Sequence, residues 1–151
     1  MFPEGRARII HNRIVNPPPI VRLFVLLGLL DVWVPREHMM RLMGPNSGIK
    51  GGTLAFLLGS FAAGPLYAAF PVAALLMRKG VSFTNVLIFI GAWSTTKIPM
   101  FLFENAALGS RFAFSRLAID IVGIVLIALV IKALISKEEV ESLYLRQQEL
   151  M

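Results

Sequence analysis

The chain has 151 residues, of which 56% are hydrophobic and 16% are charged, and its formal net charge is +6. A soluble domain has about 25% charged residues, so this deficit and the long apolar runs predict a polytopic integral membrane protein of the all-α class. The chain has no cysteine, which excludes disulfides and thiolate metal sites. Its basic residues are scattered rather than interleaved with aromatic residues, so nucleic-acid binding is not predicted.

The apolar regions predict about four transmembrane helices between residues 17 and 135. The basic segment before them, residues 1–16, is predicted to lie at the membrane interface. The first helix, about residues 20–34, lacks a small-residue cleavage site and is expected to remain as a membrane span. Residues 36–48 then predict a short amphipathic piece followed by a turn.

The second apolar region, about residues 49–77, is interrupted by Gly64-Pro65 and by Pro71. Proline removes a backbone donor, and in lipid the freed groups survive only where protein or a water-filled cavity covers them. As one straight helix this region would be roughly 44 Å long, which is too long for one simple span and short for two. It either crosses once or enters and returns, and the positive-inside rule favours the single crossing.

The rest of the chain predicts two more spans and a polar tail. The third helix covers about residues 81–98, a loop with Glu104 and Arg111 follows at residues 99–113, and the fourth helix covers about residues 114–135. Residues 136–151 predict a short charged helix in water.

Small residues recur at every fourth position of the second apolar region and predict a flat face for close helix packing. They are Gly51, Ala55, Gly59 and Ala63.

The interruption itself is the main candidate for a substrate path, at Gly64, Pro65, Tyr67 and Pro71. In transporters, the ends of broken helices point at substrates or ions near the middle of the membrane. Tyr67 would place a hydroxyl and a ring beside the break. The alternative is an ordinary proline kink without function.

The end of the third helix adds Trp93, Ser94 and Thr95 to this path. Lys97 follows them and would attract an anion. The alternative interpretation has the hydroxyls bonding back to their own helix, Trp93 in the interfacial belt, and Lys97 extending to the headgroups, which is the favoured interpretation for Lys97.

Asp120 is a further candidate for the path, because an ionisable residue at membrane depth is a functional candidate. The alternative is a local ion pair with Arg116, four residues earlier on the same helix.

The run SGIKGGTLAFLLGSFAAGPLYAAFPVAALLMRKGVSFTNVLIFIGAWS (residues 47–94) resembles one half of the predicted-permease family that includes organoarsenical efflux permeases. The specific features are Gly64-Pro65, the following YAAFP, Lys79-Gly80 and Trp93. The resemblance implies membrane transport. It also implies a length of about two such halves, so we expect this chain to pair with a copy of itself or with a second half-permease subunit. The small-residue face is a candidate surface for that pairing.

The sequence therefore predicts a permease, either a secondary carrier or channel-like, that moves a small molecule or ion across a prokaryotic cytoplasmic (inner) membrane. No ATP-binding motif, nucleophile–base pair, carboxylate dyad or metal cluster is recognisable, so neither an enzyme nor a cofactor is predicted. The alternative is a membrane scaffold that docks a partner protein through its basic N-terminus and charged tail.

Overall fold

A computed structural model of the chain describes Val25 and residues 32–62 and 64–149. The chain divides into two units, Met1–Val34 and Pro35–Met151. In the first unit, Val32 and Trp33 are helical and exposed. The predicted interfacial segment and most of the predicted first helix lie outside the described residues.

The second unit consists, in its described residues, of seven α-helices and one 3-10 turn, without a strand. The all-α class is therefore confirmed for this part of the chain. In chain order the elements are α1 (Arg36–Met43), α2 (Gly48–Phe61), the 3-10 turn (Leu66–Ala68), α3 (Ala69–Arg78), α4 (Phe83–Thr95), α5 (Ile98–Leu108), α6 (Ser110–Leu134) and α7 (Lys137–Glu149).

Helices α2 and α4 form the closest contact of the unit, through the small residues of α2. Gly51, Ala55 and Gly59 are buried. A Cβ atom on Gly59 would lie 2.5 Å from the carbonyl oxygen of Phe89 and 2.8 Å from Cβ of Ala92, so the two backbones almost touch. The expectation that this face pairs with a second chain is wrong, because α4 already covers it. Ala63 lies outside the described residues.

Between α2 and α3 the chain leaves the helical conformation. Helix α2 ends at Phe61, and Gly64 has φ 149°, a conformation that favours glycine because L side chains rarely adopt it. Pro65 is extended and precedes the 3-10 turn. Pro71 lies in the first turn of α3, where backbone N–H groups have no partner inside the helix, so its missing donor costs little.

The predicted loop at residues 99–113 is wrong, because most of it forms α5. Pro99 occupies the first turn of this helix, where proline is well tolerated. Gly109, with φ 90°, ends the helix and lets α6 begin at once. Glu104, which the prediction places in the loop, is buried on α5.

Helix α6 is 25 residues long and apolar enough to cross a membrane. Helices α4 and α5 meet that test together, as a pair bent by 41°. By length and composition, the described residues therefore offer one membrane span, or two if the bent pair is a single span. The predicted number of about four spans is not confirmed.

Helix α7 returns to the loop between α3 and α4. The hydroxyl of Tyr144 donates a hydrogen bond to the carbonyl oxygen of Val81 at 2.6 Å. Burial of this phenol raises the pKa of Tyr144 to about 12. The charged tail is therefore attached to the helical unit.

Candidate functional site

Two interruptions of helical structure meet at one place in the fold. The first follows α2, at Ala62, Gly64 and Pro65, and the second separates α4 from α5, at Thr96 and Lys97. The indole Nε1 of Trp93 donates to the carbonyl oxygen of Pro65 at 3.2 Å. The ammonium group of Lys97 donates to the carbonyl oxygen of Gly64. The end of α4 and the segment after it therefore donate to two backbone carbonyls of the first interruption, of which that of Pro65 also accepts from the N–H of Ala68 at 3.0 Å.

A third contact joins the two interruptions through hydroxyl groups. Ser60 Oγ and Thr96 Oγ1 lie 2.9 Å apart, and both residues are buried. Thr96 Oγ1 already donates its proton to the carbonyl oxygen of Ala92 at 3.0 Å. Since a hydroxyl has one proton, Ser60 is the donor of this bond.

A group of charged side chains lies beside the second interruption. Arg116, on α6, forms a salt bridge with Glu104 on α5 through Nη1. Its Nη2 donates to the carbonyl oxygen of Thr95 at 2.9 Å, and its Nε lies 3.6 Å from Oδ2 of Asp120. Arg116 therefore connects three helices, because Thr95 ends α4. With Lys97, the group contains two cations and two carboxylates, and we call it the charged cluster.

The charged cluster encloses a cavity of about 10 Å³. A cavity of this size has room for about one water molecule. The lining residues are Thr95, Thr96, Lys97, Phe101, Glu104, Ala113, Arg116, Leu117 and Asp120. Nothing larger than water fits between these side chains in this conformation.

The structure brings some of the predicted path residues together and separates others. Gly64, Pro65, Trp93 and Thr95 lie at the meeting point of the interruptions, and Asp120 lines the cavity. Trp93 is 4% exposed, so it does not belong to an interfacial belt.

Two of the predicted residues lie elsewhere, and two predicted hydroxyl groups bond within their own helix. Tyr67 is 72% exposed, and Pro71 is exposed in the first turn of α3. The hydroxyls of Ser94 and Thr95 both bond back to the carbonyl oxygen of Gly91, at 2.8 and 3.1 Å, as the alternative interpretation expected.

Sequence reasoning missed three residues of the site. Lys97 was expected to extend to the headgroups, but its ammonium group lies at the first interruption. Glu104 was assigned to a loop, and Arg116 was considered only as a partner of Asp120. The i, i+4 contact with Asp120 is present at 3.6 Å, but Glu104 is the closer carboxylate. The available signal in the sequence was an acidic residue, Glu104, and an arginine, Arg116, next to an apolar run.

A larger cavity of about 540 Å³ lies at the other end of α4. It is bounded by the turn before α2, the start of α4 and the tail helix, and it contains none of the predicted path residues. Its polar lining includes Ser47, Ser82, Asn85, Lys132 and Tyr144. The residues that the structure describes contain no group of three histidine, aspartate or glutamate side chains that could hold a metal ion.

Comparison with known proteins identifies the family. A family model described as "Predicted permease" matches residues 9–151, which is nearly the whole chain. No curated protein and no solved structure matches. The matched range includes both interruptions and the charged cluster. The chain therefore belongs to the predicted-permease family.

Proposed function

We propose that this protein is a permease that moves a small solute through the charged cluster, where the two helix interruptions meet. The observation that carries the proposal is the mutual hydrogen bonding of the interruptions, with Trp93 to Pro65 at 3.2 Å and Ser60 to Thr96 at 2.9 Å. An isolated proline kink would need no such partner. Membership in the predicted-permease family supports transport as the activity.

A carrier mechanism is favoured over an open channel. The cavity of about 10 Å³ admits no solute larger than water, so passage requires the helices around it to move. The bend of 41° between α4 and α5 supplies a place for that movement, since the backbone at Thr96 and Lys97 is already outside a regular helix. In this mechanism the solute site alternates its access around the interruptions.

The complete transport path is proposed to need a second half, supplied by a copy of this chain or by a separate subunit. The small-residue face of α2 is covered by α4 and is not available for this contact. Helices α5 and α6 remain, because they expose a broad apolar surface, including Phe103, Phe114 and Leu126. The proposed location is the cytoplasmic membrane of a prokaryote. Counting subunits by single-molecule photobleaching in lipid nanodiscs tests the pairing, and a strictly monomeric protein would refute it.

Single cysteines test whether water reaches the proposed site, because the natural chain has none. We would introduce Ala68→Cys and Thr95→Cys separately and label them with a membrane-impermeant maleimide in membranes of known sidedness. Ala68 follows the first interruption and Thr95 precedes the second. Ser142→Cys, exposed on α7, is the positive control, and Leu126→Cys, on the apolar outer face of α6, is the negative control.

If the protein is a permease, Ala68→Cys or Thr95→Cys should be labelled at a rate between those of the two controls. The rate should also differ between maleimide added to one side of the membrane and maleimide added to the other. Absence of labelling at both positions, while Ser142→Cys reacts, would mean a dry, packed kink. The protein would then fit the alternative of a membrane scaffold that binds a partner and moves nothing.

A further inference from the structure

Glu104 is a buried side chain that connects α5 to α6. It is 8% exposed and is the one residue that α5 buries among the described residues. A helix normally buries apolar side chains against its neighbours. Here the buried group is a carboxylate, and it forms a salt bridge with the guanidinium of Arg116.

Arginine binds carboxylates and phosphates through a planar fork of N–H donors, so the Glu104 carboxylate fills an anion-binding position. Arg116 itself is held in place independently of Glu104, by the carbonyl oxygen of Thr95 and by Asp120. The arginine would therefore keep its position when Glu104 leaves.

The structure of α5 allows Glu104 to move away from Arg116. The helix is 11 residues long, bends by 41° from α4 and exposes the large apolar side chains of Met100, Leu102 and Phe103. Besides the salt bridge, α5 contacts α6 through the rings of Phe101 and Phe114, whose centroids lie 5.3 Å apart. The interruption at Lys97 is the place where α5 can turn. In this conformation the salt bridge holds Glu104 against Arg116.

The charge balance then decides which solute can enter. With Glu104 in place, the charged cluster contains two cations and two carboxylates. When Glu104 withdraws, Lys97 and Arg116 face the cavity with Asp120 alone, which leaves one positive charge in excess. The Arg116 side chain is 31% exposed and borders the cavity, so an entering anion can take the place of the carboxylate and restore the balance. A cation would be repelled, and a neutral solute would leave the charge uncompensated.

We propose that Glu104 is a built-in substitute for the transported solute, and that this solute is a small oxyanion such as a carboxylate or a phosphate. The inference rests on the proposed permease function and specifies its substrate class. In the closed state Glu104 occupies Arg116, and during transport the solute anion replaces it. Glu104 is therefore a competitor of the substrate, and Arg116 is the substrate-binding residue.

The test uses binding rather than transport. The chain has two tryptophans, Trp33 and Trp93, so Trp33→Phe leaves Trp93 as the sole indole, at the site itself. This parent protein, in lipid nanodiscs, is titrated with inorganic phosphate and separately with acetate, at constant ionic strength maintained with sodium chloride. Tryptophan emission reports the occupancy.

Glu104→Gln should lower the half-saturating phosphate concentration by about ten-fold or more, because the internal competitor loses its charge. Glu104→Asp keeps the charge on a shorter side chain and should lower it by a smaller factor. Arg116→Gln should abolish the response. Glu141→Gln removes an exposed carboxylate on α7 and is the matched control, which should titrate like the parent.

The proposal is overturned if folded Glu104→Gln or Glu104→Asp protein needs as much phosphate and acetate as the parent. It is equally overturned if saturating phosphate and acetate leave the emission of the parent unchanged, whichever variants fold. If the cysteines at the interruptions are labelled but no anion changes the emission, the role of Glu104 as a substitute for the solute is refuted, while the proposed permease function stands. Absence of labelling would refute the permease itself.

Discussion

The indole of Trp93 donates a hydrogen bond to the carbonyl oxygen of Pro65 at 3.2 Å, 28 positions earlier in the chain. This bond connects the last turn of α4 to the segment that follows α2. The ring of Trp93 is also in edge contact with Phe89, with ring centroids 5.5 Å apart. Trp93 thus fixes the first interruption to the core of the helical unit.

Replacing Trp93 by phenylalanine should weaken this connection. The ring contact with Phe89 is largely kept, but the carbonyl oxygen of Pro65 keeps only the N–H of Ala68 as a donor, at 3.0 Å. The variant therefore loses one part-buried hydrogen bond, which costs on the order of 1 kcal/mol. We expect a lower free energy of unfolding by circular dichroism in detergent micelles. Trp33→Phe is the matched control, because Trp33 is 78% exposed. Equal stability of the two variants would contradict a structural role for the Trp93 bond.

A methyl group at Gly59 should push α2 away from α4. The added Cβ of Gly59→Ala would lie 2.5 Å from a backbone oxygen, which cannot yield without moving a helix. Overpacking of this kind costs roughly 1–3 kcal/mol of stability, which outweighs the helix propensity gained by replacing glycine with alanine. Gly123→Ala, on α6, has no atom within 4 Å of its new methyl group and should be neutral or stabilising. Chemical unfolding in mixed micelles would compare the two, and a neutral Gly59→Ala would refute the close contact.

Removing Arg116 alone should be more damaging than removing both partners of its salt bridge. Arg116→Met leaves the buried carboxylate of Glu104 without its partly exposed cation, and a buried group that loses its partner costs on the order of 2 kcal/mol. The double variant Arg116→Met, Glu104→Leu removes both charges and should recover most of the lost stability. Unfolding of both single variants and the double variant gives the coupling free energy. Additive losses would mean that the two side chains do not interact.

The tail helix should detach in alkaline solution. The neutral hydroxyl of Tyr144 donates to Val81, and burial raises its pKa to about 12 from the ordinary value of 10. Because the folded state holds the proton more tightly, the contribution of Tyr144 to stability is complete below pH 10 and is lost as the pH rises toward 12. Absorbance titration of the Tyr67→Phe variant follows Tyr144 alone, since the chain has two tyrosines.

The same titration checks the docking of the tail. Tyr144→Phe removes the donor at every pH and should increase proteolysis of α7 already at neutral pH. A phenol that titrates near its ordinary value, together with an unchanged rate of proteolysis, would show that α7 does not dock at Val81.

Much of the helical framework was predictable because it depends on local sequence. The fourth predicted helix, about residues 114–135, corresponds to α6 at Ser110–Leu134, and the predicted tail helix corresponds to α7 at Lys137–Glu149. Glycine and proline also act locally, which is why the second apolar region leaves the helix around Gly64 and Pro65. Helix α5 was not predicted, because the segment between the third and fourth predicted helices, which holds Glu104 and Arg111, was assigned to a loop.

The sequence by itself determined the all-α class, the membrane-compatible composition and the places where helices must stop, since these follow from side-chain polarity and backbone geometry. Only the tertiary structure decided how those stops are used. The contact of Lys97 with Gly64 joins residues 33 positions apart, and that of Glu104 with Arg116 joins residues on different helices. Such pairs depend on the relative placement of helices, which the close packing of α2 on α4 and the turn at Gly109 establish. Local pattern therefore predicted the elements, and packing assembled the charged cluster.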